Sequence, residues 1–180
     1  DMNFVVAHLG GGISLTAHRK GKMVDLVSDD EGPFSPERAG RVPCKKLIDL
    51  CFSGEYDKKT MHKKLRGKGG FTAYFASNDA KEIEDRAIAG DEVARLHYDA
   101  LSYQVSKSIG ELATVLEGDV DAIIITGGIA YSKMTTDYIT KKVGFIAPVE
   151  IMPGEAELES LAYGILRVLN GEESSKDYIE

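Results

Sequence analysis

The hydrophobic positions of this chain change period along its length. From Asn3 to Val27 they read as strands: Val5-Val6-Ala7-His8-Leu9 drives into Gly10-Gly11-Gly12, and Ile13-Ser14-Leu15-Thr16-Ala17-His18 then alternates apolar and polar. Arg19-Lys20-Gly21 supplies a turn and Lys22 to Val27 a third strand. Three strands joined by short turns predict an antiparallel meander with the glycine turn at one tip. From Pro43 onward the period becomes helical. Pro43 suits the first turn of a helix through Phe52, and a second helix runs from Asp57 to Arg66, stopped by Gly67-Lys68-Gly69-Gly70. Phe71 to Phe75 is too short to type.

Asp79 reads as the cap of a helix beginning near Ala80, with Glu82 at the capping-box position, and Gly90 ends that helix. Asp91 to Glu117 is the longest helical pattern, with Ala94, Tyr98, Leu101, Val105, Ile109, Leu112 and Leu116 on one stripe. Val93, Leu96 and Ala100 widen that stripe towards a possible subunit contact. Val120 to Thr126 is a continuous β-branched run, as expected of a strand buried on both faces, and it ends in Gly127-Gly128. A helix follows from about Ser132 to Lys142, then a strand over Phe145 to Met152. Leu158, Leu161, Ala162, Ile165, Leu166 and Leu169 predict a final helix with one buried face, stopped by Gly171. The last eight residues read as a fraying tail.

Composition narrows the picture. With 180 residues, 43% hydrophobic and 28% charged, the chain suits one ordinary globular domain. A net charge of −7 argues against a nucleic-acid surface, since the only dense basic run is His62 to Lys68. No apolar stretch is long enough to span a bilayer and no signal-peptide pattern opens the chain, so the expected location is the cytoplasm. Cys44 and Cys51, about 10 Å apart along one helix, are too distant for a disulfide and read as buried thiols. His8, His18, His62 and His97 lack the spacing of a zinc site.

The candidate chemistry lies where elements meet. Gly10-Gly11-Gly12 offers backbone N–H groups to an anion, with His8 at the mouth of the turn; the plain alternative is a tight hairpin with a spare histidine. Ser28 to Val42 carries prolines and glycines that exclude a regular element and holds Arg38 on a constrained backbone, either for function or as a solvated surface loop. A meander leading into two α/β crossovers gathers several strand ends at one sheet edge, the usual ligand position in open α/β folds. The glycine turn, the Arg38 loop, Gly127-Gly128 and the acids Glu155 and Glu157 would meet there. Glycine N–H groups, a cation, a histidine and an acid able to hold Mg²⁺ are what phosphoryl transfer requires. A Rossmann site is disfavoured, because neither the third glycine of GxGxxG nor a helix follows Gly12.

Taken together, His8 to Ser14, Gly32-Pro33-Phe34-Ser35-Pro36-Glu37-Arg38-Ala39-Gly40, Gly67 to Asp79, Ile125-Thr126-Gly127-Gly128-Ile129-Ala130 and Pro153-Gly154-Glu155 resemble the acetate and butyrate kinase family of the actin/hexokinase/Hsp70-like ATPase superfamily. The resemblance covers nearly the whole chain in the right order. It implies an α/β, ribonuclease H-like (actin-like ATPase) domain with a mixed sheet, residues 1–180 being the C-terminal nucleotide-binding domain of a two-domain kinase whose N-terminal domain has no counterpart here. It implies transfer of phosphate between ATP and butyrate or a similar short-chain carboxylate, with ATP/ADP and Mg²⁺ as cofactors and a homodimer formed through this domain.

By that resemblance His8 corresponds to the family histidine near the transferring phosphoryl group, and Gly10, Gly11 and Gly12 to the loop around the phosphates. Acetate kinase carries an asparagine where Gly11 stands, so only the backbone can serve there. Arg38 resembles the active-site arginine, Asp79 an acid near the ribose, Gly127 and Gly128 the adenosine-contacting turn, and Glu157 the acid associated with Mg²⁺, with Glu155 and Glu159 as neighbouring registers. The Ser28 to Glu31 stretch looks shorter than in the family. Asp79 is also fully explained as a helix cap, and Glu157 as a first-turn carboxylate favoured by the helix dipole. Two other readings compete with a kinase half: a non-catalytic actin-like domain used for assembly or regulation, and an oligomerisation module built on the Asp91 to Glu117 helix.

Overall fold

The computed structural model of the chain describes residues 2–28 and 30–175. The meander forms as the alternation requires: β1 (Phe4–Leu9), β2 (Ile13–Arg19) and β3 (Lys22–Val27) pair antiparallel in sequence. Two further strands, β4 (Ala122–Gly127) and β5 (Val149–Pro153), extend the sheet on the far side of β1, giving the order β3-β2-β1-β4-β5. β1, β4 and β5 run parallel, so their carboxyl ends, Leu9, Gly127 and Pro153, lie along one edge. The fold is therefore the expected α/β type with a mixed sheet.

One sheet face is the core. Val5, Ala7, Leu9, Ile13, Leu15, Ala17, Ile123 and Ile125 all point to it and are fully buried. The long helix α5 (Glu92–Val115) lies on this face, presenting Tyr98, Leu101, Val105, Ile109 and Leu112. Each such large apolar side chain contributes about 1.5–3 kcal/mol by leaving water. α4 (Ala80–Ile88) and α6 (Lys133–Val143) flank α5 and share its layer. Between β3 and α4 the chain forms three short helices, α1 (Cys44–Cys51), α2 (Lys58–Leu65) and α3 (Gly70–Phe75), so the short Phe71 run is helical.

Three expectations fail. Cys44 and Cys51 are exposed, because α1 buries none of its residues. The strand expected from Phe145 starts only at Val149, after Pro148, which lacks the N–H that a ladder needs; Phe145 itself is 86% exposed. The final helix α7 (Glu157–Leu169) forms, but it buries none of its residues, and Leu158, Leu161, Ile165 and Leu169 stay exposed. Of the expected tail, residues 176–180 lie outside the described residues, as does Asp29 of the long loop.

Candidate functional site

The carboxyl edge of the sheet is where the candidate residues collect. β1 ends at Leu9 and turns through Gly10-Gly11-Gly12, with the Gly10 N–H donating to the Gly12 carbonyl at 3.1 Å. None of these three glycines takes a positive φ, so handedness does not require them; at Gly10 it is space that is short. A Cβ on Gly10 would sit 3.3 Å from His8 Nε2 and 3.4 Å from Glu155 Oε1, tighter than ordinary packing. Those two side chains are themselves an exposed pair, Nε2 to Oε1 at 3.4 Å.

The Arg38 loop docks directly on this turn. The Gly11 carbonyl accepts from Ser35 Oγ at 2.7 Å and from the Glu37 N–H at 3.1 Å. Behind it, Pro36 O accepts from the Thr72 hydroxyl and N–H, both at 3.0 Å, so α3 clamps the loop. Ser35 is completely buried. Arg38 extends from this clamped segment with only 15% of its side chain exposed and Nη1 3.8 Å from Glu37 Oε2. Glu37 in turn accepts from Asn78 Nδ2 at 2.6 Å, which ties the loop to the start of α4.

Asp79 caps α4: its Oδ1 accepts from the N–H groups of Lys81 at 2.9 Å and Glu82 at 3.2 Å. Glu82 does not close the expected capping box; it accepts from Ser77 Oγ at 2.6 Å. Gly127 ends β4 at φ +93°, where a Cβ would meet the Leu9 carbonyl oxygen at 2.4 Å, so only glycine lets β1 and β4 come this close. Gly128 opens a short 3-10 turn through Tyr131, and a Cβ there would point into empty space.

That space is a cavity of about 510 Å³ lined by Gly10, Gly11, Asp79, Gly128 and Glu155 together with Lys81, Glu84, Tyr98 and Ser132. The fold thus brings four of the expected residues, Gly10, Gly11, Asp79 and Gly128, around one void, with Glu155, the neighbouring register of the expected Glu157. His8, Gly12 and Gly127 lie in the segments that frame it without lining it, and so does Arg38, on the loop clamped to Gly11. Glu157 faces a neighbouring groove with Thr126, Met152 and Glu159, which it shares with Glu155. A void of similar volume, about 540 Å³, between Asp30, Leu47, His62 and Arg66, contains none of the expected residues.

Sequence reasoning missed Glu84, Tyr98 and Ser132. Glu84 carries no motif, Tyr98 reads as one more residue of the core stripe, and Ser132 reads only as a helix start. Ser132 does cap α6, accepting from the Thr135 N–H at 3.1 Å, while its hydroxyl donates to Glu84 Oε1 at 2.5 Å. Burial pushes the Tyr98 phenol above its ordinary pKa and the Glu84 charge adds to the effect. Lys81 is also held above its usual value by its hydrogen bond to Asp85.

The charged side chains lining the cavity are three carboxylates, Asp79, Glu84 and Glu155, against one ammonium, Lys81. A polyphosphate entering there needs a counter-cation. Among the described residues no three His, Cys, Asp or Glu side chains form a metal cage. The donor set fits the other way that Mg²⁺ is held, by one or two carboxylates with phosphate oxygens and water completing the shell.

Comparison with known proteins agrees with this architecture. The model of the acetokinase family matches residues 1–147. Butyrate kinase 2 of Clostridium acetobutylicum is 53% identical over 180 residues, covering 99% of this chain and 51% of that protein. The chain therefore spans about half the length of that relative. The crystal structure of acetate kinase from Porphyromonas gingivalis superposes with a TM-score of 0.80 at 23% identity, over 92% of this chain and 49% of that one. Acetate kinase from Entamoeba histolytica gives 0.79 at 20% identity, over 91% of this chain and 51% of that one. The ROK hexokinase from Thermus thermophilus gives 0.53 at 12% identity, over 89% and 56%. At these identities the structures speak to the fold alone, the actin-like ATPase type.

Proposed function

Because the chain belongs to the acetokinase family, we propose that it is the C-terminal, nucleotide-binding half of a carboxylate kinase, transferring phosphate between ATP and butyrate or a similar short-chain fatty acid to give acyl phosphate and ADP. The observation that carries this reading is the meeting of Gly10, Gly11, Asp79, Gly128 and Glu155 around one cavity at the carboxyl edge of the sheet. In this reading the Gly10 to Gly12 backbone surrounds the phosphates, Asp79 takes the ribose, and Gly127-Gly128 lets the adenosine approach the backbone.

His8 donates a hydrogen bond to the transferring phosphoryl group, and Arg38 supplies a fixed positive charge for the carboxylate or phosphoryl oxygens. Such donors act because they are held in place before charge develops. The clamp of Ser35 and Pro36 on Gly11 and Thr72 is what holds Arg38. Mg²⁺, when bound, supplies positive charge to the phosphates, and the acids that would hold it open α7. Glu155, beside Gly10, is better positioned for this than Glu157, which faces the adjoining groove.

The remaining half of the kinase is an N-terminal domain that completes the cleft. The protein acts in the cytoplasm as a homodimer on small molecules, without nucleic acid or membrane. No helix is long and apolar enough to cross a membrane among the described residues, and the exposed Tyr74, Val93, Leu96 and Tyr103 supply an apolar edge suited to a second subunit.

Calorimetric titration of the full protein with MgADP, followed by an acyl-phosphate assay with butyrate, tests the proposal. Binding together with butyryl phosphate formation is expected. Binding without phosphotransfer in the full protein would favour a non-catalytic actin-like domain instead.

A further inference from the structure

Phosphate chemistry accounts for only one end of the cavity. At the other end, closed by α4, α5 and the start of α6, Glu84 is buried to 6% exposure and is the one buried acid among the described residues. A carboxylate withdrawn from water is costly unless its lone pairs are taken up. Ser132 Oγ donates to Oε1, and Lys81 Nζ lies 3.4 Å from Oε2. Lys81 is 69% exposed, however, and makes its shorter bond, 2.7 Å, to Asp85. A carboxylate accepts about four hydrogen bonds, so Glu84 keeps acceptor capacity on the side of the cavity that it lines.

Ser132 fixes that carboxylate rather than competing with it. Its single hydroxyl proton goes to Glu84, and its oxygen accepts the Thr135 N–H as the cap of α6. Tyr98 and Ile129 line the same end. A slot walled by Tyr98 and Ile129 and holding one fixed acceptor suits a flat heteroaromatic ring bearing an amine. Glu84 lies on α4 five residues beyond its cap Asp79, a rise of about 7.5 Å. This matches the reach from a ribose to the far edge of its purine.

Resting on the nucleotide reading of the cavity, we propose that Glu84 selects the base: its carboxylate, held by Ser132, accepts from the exocyclic amine of a 6-aminopurine and rejects a purine with a carbonyl oxygen at that position. A site built to bond a donor discriminates strongly against a ligand that lacks it, because the buried acceptor is then left unpaired.

The test is calorimetric binding of ADP, inosine diphosphate and purine riboside diphosphate to the full protein and to Glu84→Gln. The wild type is expected to bind ADP about ten- to hundredfold more tightly than inosine diphosphate. Purine riboside diphosphate, which lacks the amine without gaining an oxygen, falls between them. Glu84→Gln retains the acceptor for Ser132 and adds an amide donor. It weakens ADP, strengthens inosine diphosphate and brings the two within about threefold. A residue that merely supports the fold would weaken both in parallel and leave their ratio intact, which overturns the proposal. Equal binding of ADP and purine riboside diphosphate by the wild type overturns it without need of a variant and leaves the nucleotide reading standing. Failure of the wild type to bind any of the three removes that reading and this inference together.

Discussion

The two ends of the cavity are built on opposite principles. The end around Gly10, His8 and Glu155 is loop and helix start, half-exposed, with His8 and Glu155 40% and 44% exposed in their side chains. The end around Glu84, Tyr98 and Ser132 is helix on helix, buried, and fixed by hydrogen bonds among its own residues. An exposed group contributes little to stability and is available to a reacting ligand, whereas a buried polar group is costly to disturb whatever its function. The same substitution chemistry should therefore read out as activity at one end and as stability with selectivity at the other.

The largest effect is expected at the sheet edge that frames the cavity. Gly127 exchanges backbone hydrogen bonds with Gly154, both at 3.1 Å, and sits against Leu9 at a φ that L side chains rarely adopt. Gly127→Ala drives a methyl group into the Leu9 carbonyl and should cost about 3 kcal/mol or more, erasing the distinction by disordering both ends at once. A thermal melt of the variant close to wild type would mean that the β1–β4 edge is more yielding than its geometry implies.

Next comes His8→Ala, which isolates the open end. In the full protein kcat should fall about 10²- to 10³-fold, the usual loss for one preorganised donor. Stability should change by less than about 0.5 kcal/mol, because the side chain is half-exposed and its pairing with Glu155 is a surface contact. Wild-type turnover in this variant would remove His8 from the phosphoryl site. Ser132→Ala isolates the closed end. It deletes the cap of α6 and the donor to Glu84 together, and about 1–3 kcal/mol of stability should go with them. At about 2–4 °C per kcal/mol for a chain of this size, a melting curve resolves the loss.

The sequence was informative about the first end and silent about the second, for a physical reason. A turn that admits a ligand must spare side chains, so Gly10-Gly11-Gly12 stands out between two apolar runs, and the prolines around Arg38 stand out likewise. A buried carboxylate leaves no such trace. Glu84 occupies a helix position that any exposed acid could fill, and only the packing of α5 against α4, with Ser132 at the start of α6, takes it out of water. Local patterning also overreached at α7: a stripe of Leu158, Leu161, Ile165 and Leu169 specifies that a face is apolar, not which surface covers it. The same pattern in α5 is buried because the meander lies beneath it. Cys44 and Cys51, read as buried thiols once a disulfide is excluded, stand instead on a helix that buries none of its residues.

Asp79 stands between the two ends and gives the smallest, most discriminating effect. It has a complete structural duty as the cap of α4, with Oδ1 taking both cap bonds, and it also lines the cavity. Asp79→Ser retains a good cap, so stability should stay within about 0.5 kcal/mol of wild type. If the carboxylate also holds the ribose, ADP binding should weaken about two- to tenfold, the worth of one net hydrogen bond. The loss should vanish for a deoxyribose analogue lacking the hydroxyl concerned, because a bond that the ligand cannot make cannot be removed twice. Equal losses for ribose and deoxyribose ligands would leave Asp79 as a cap alone and move the ribose contact elsewhere on the rim.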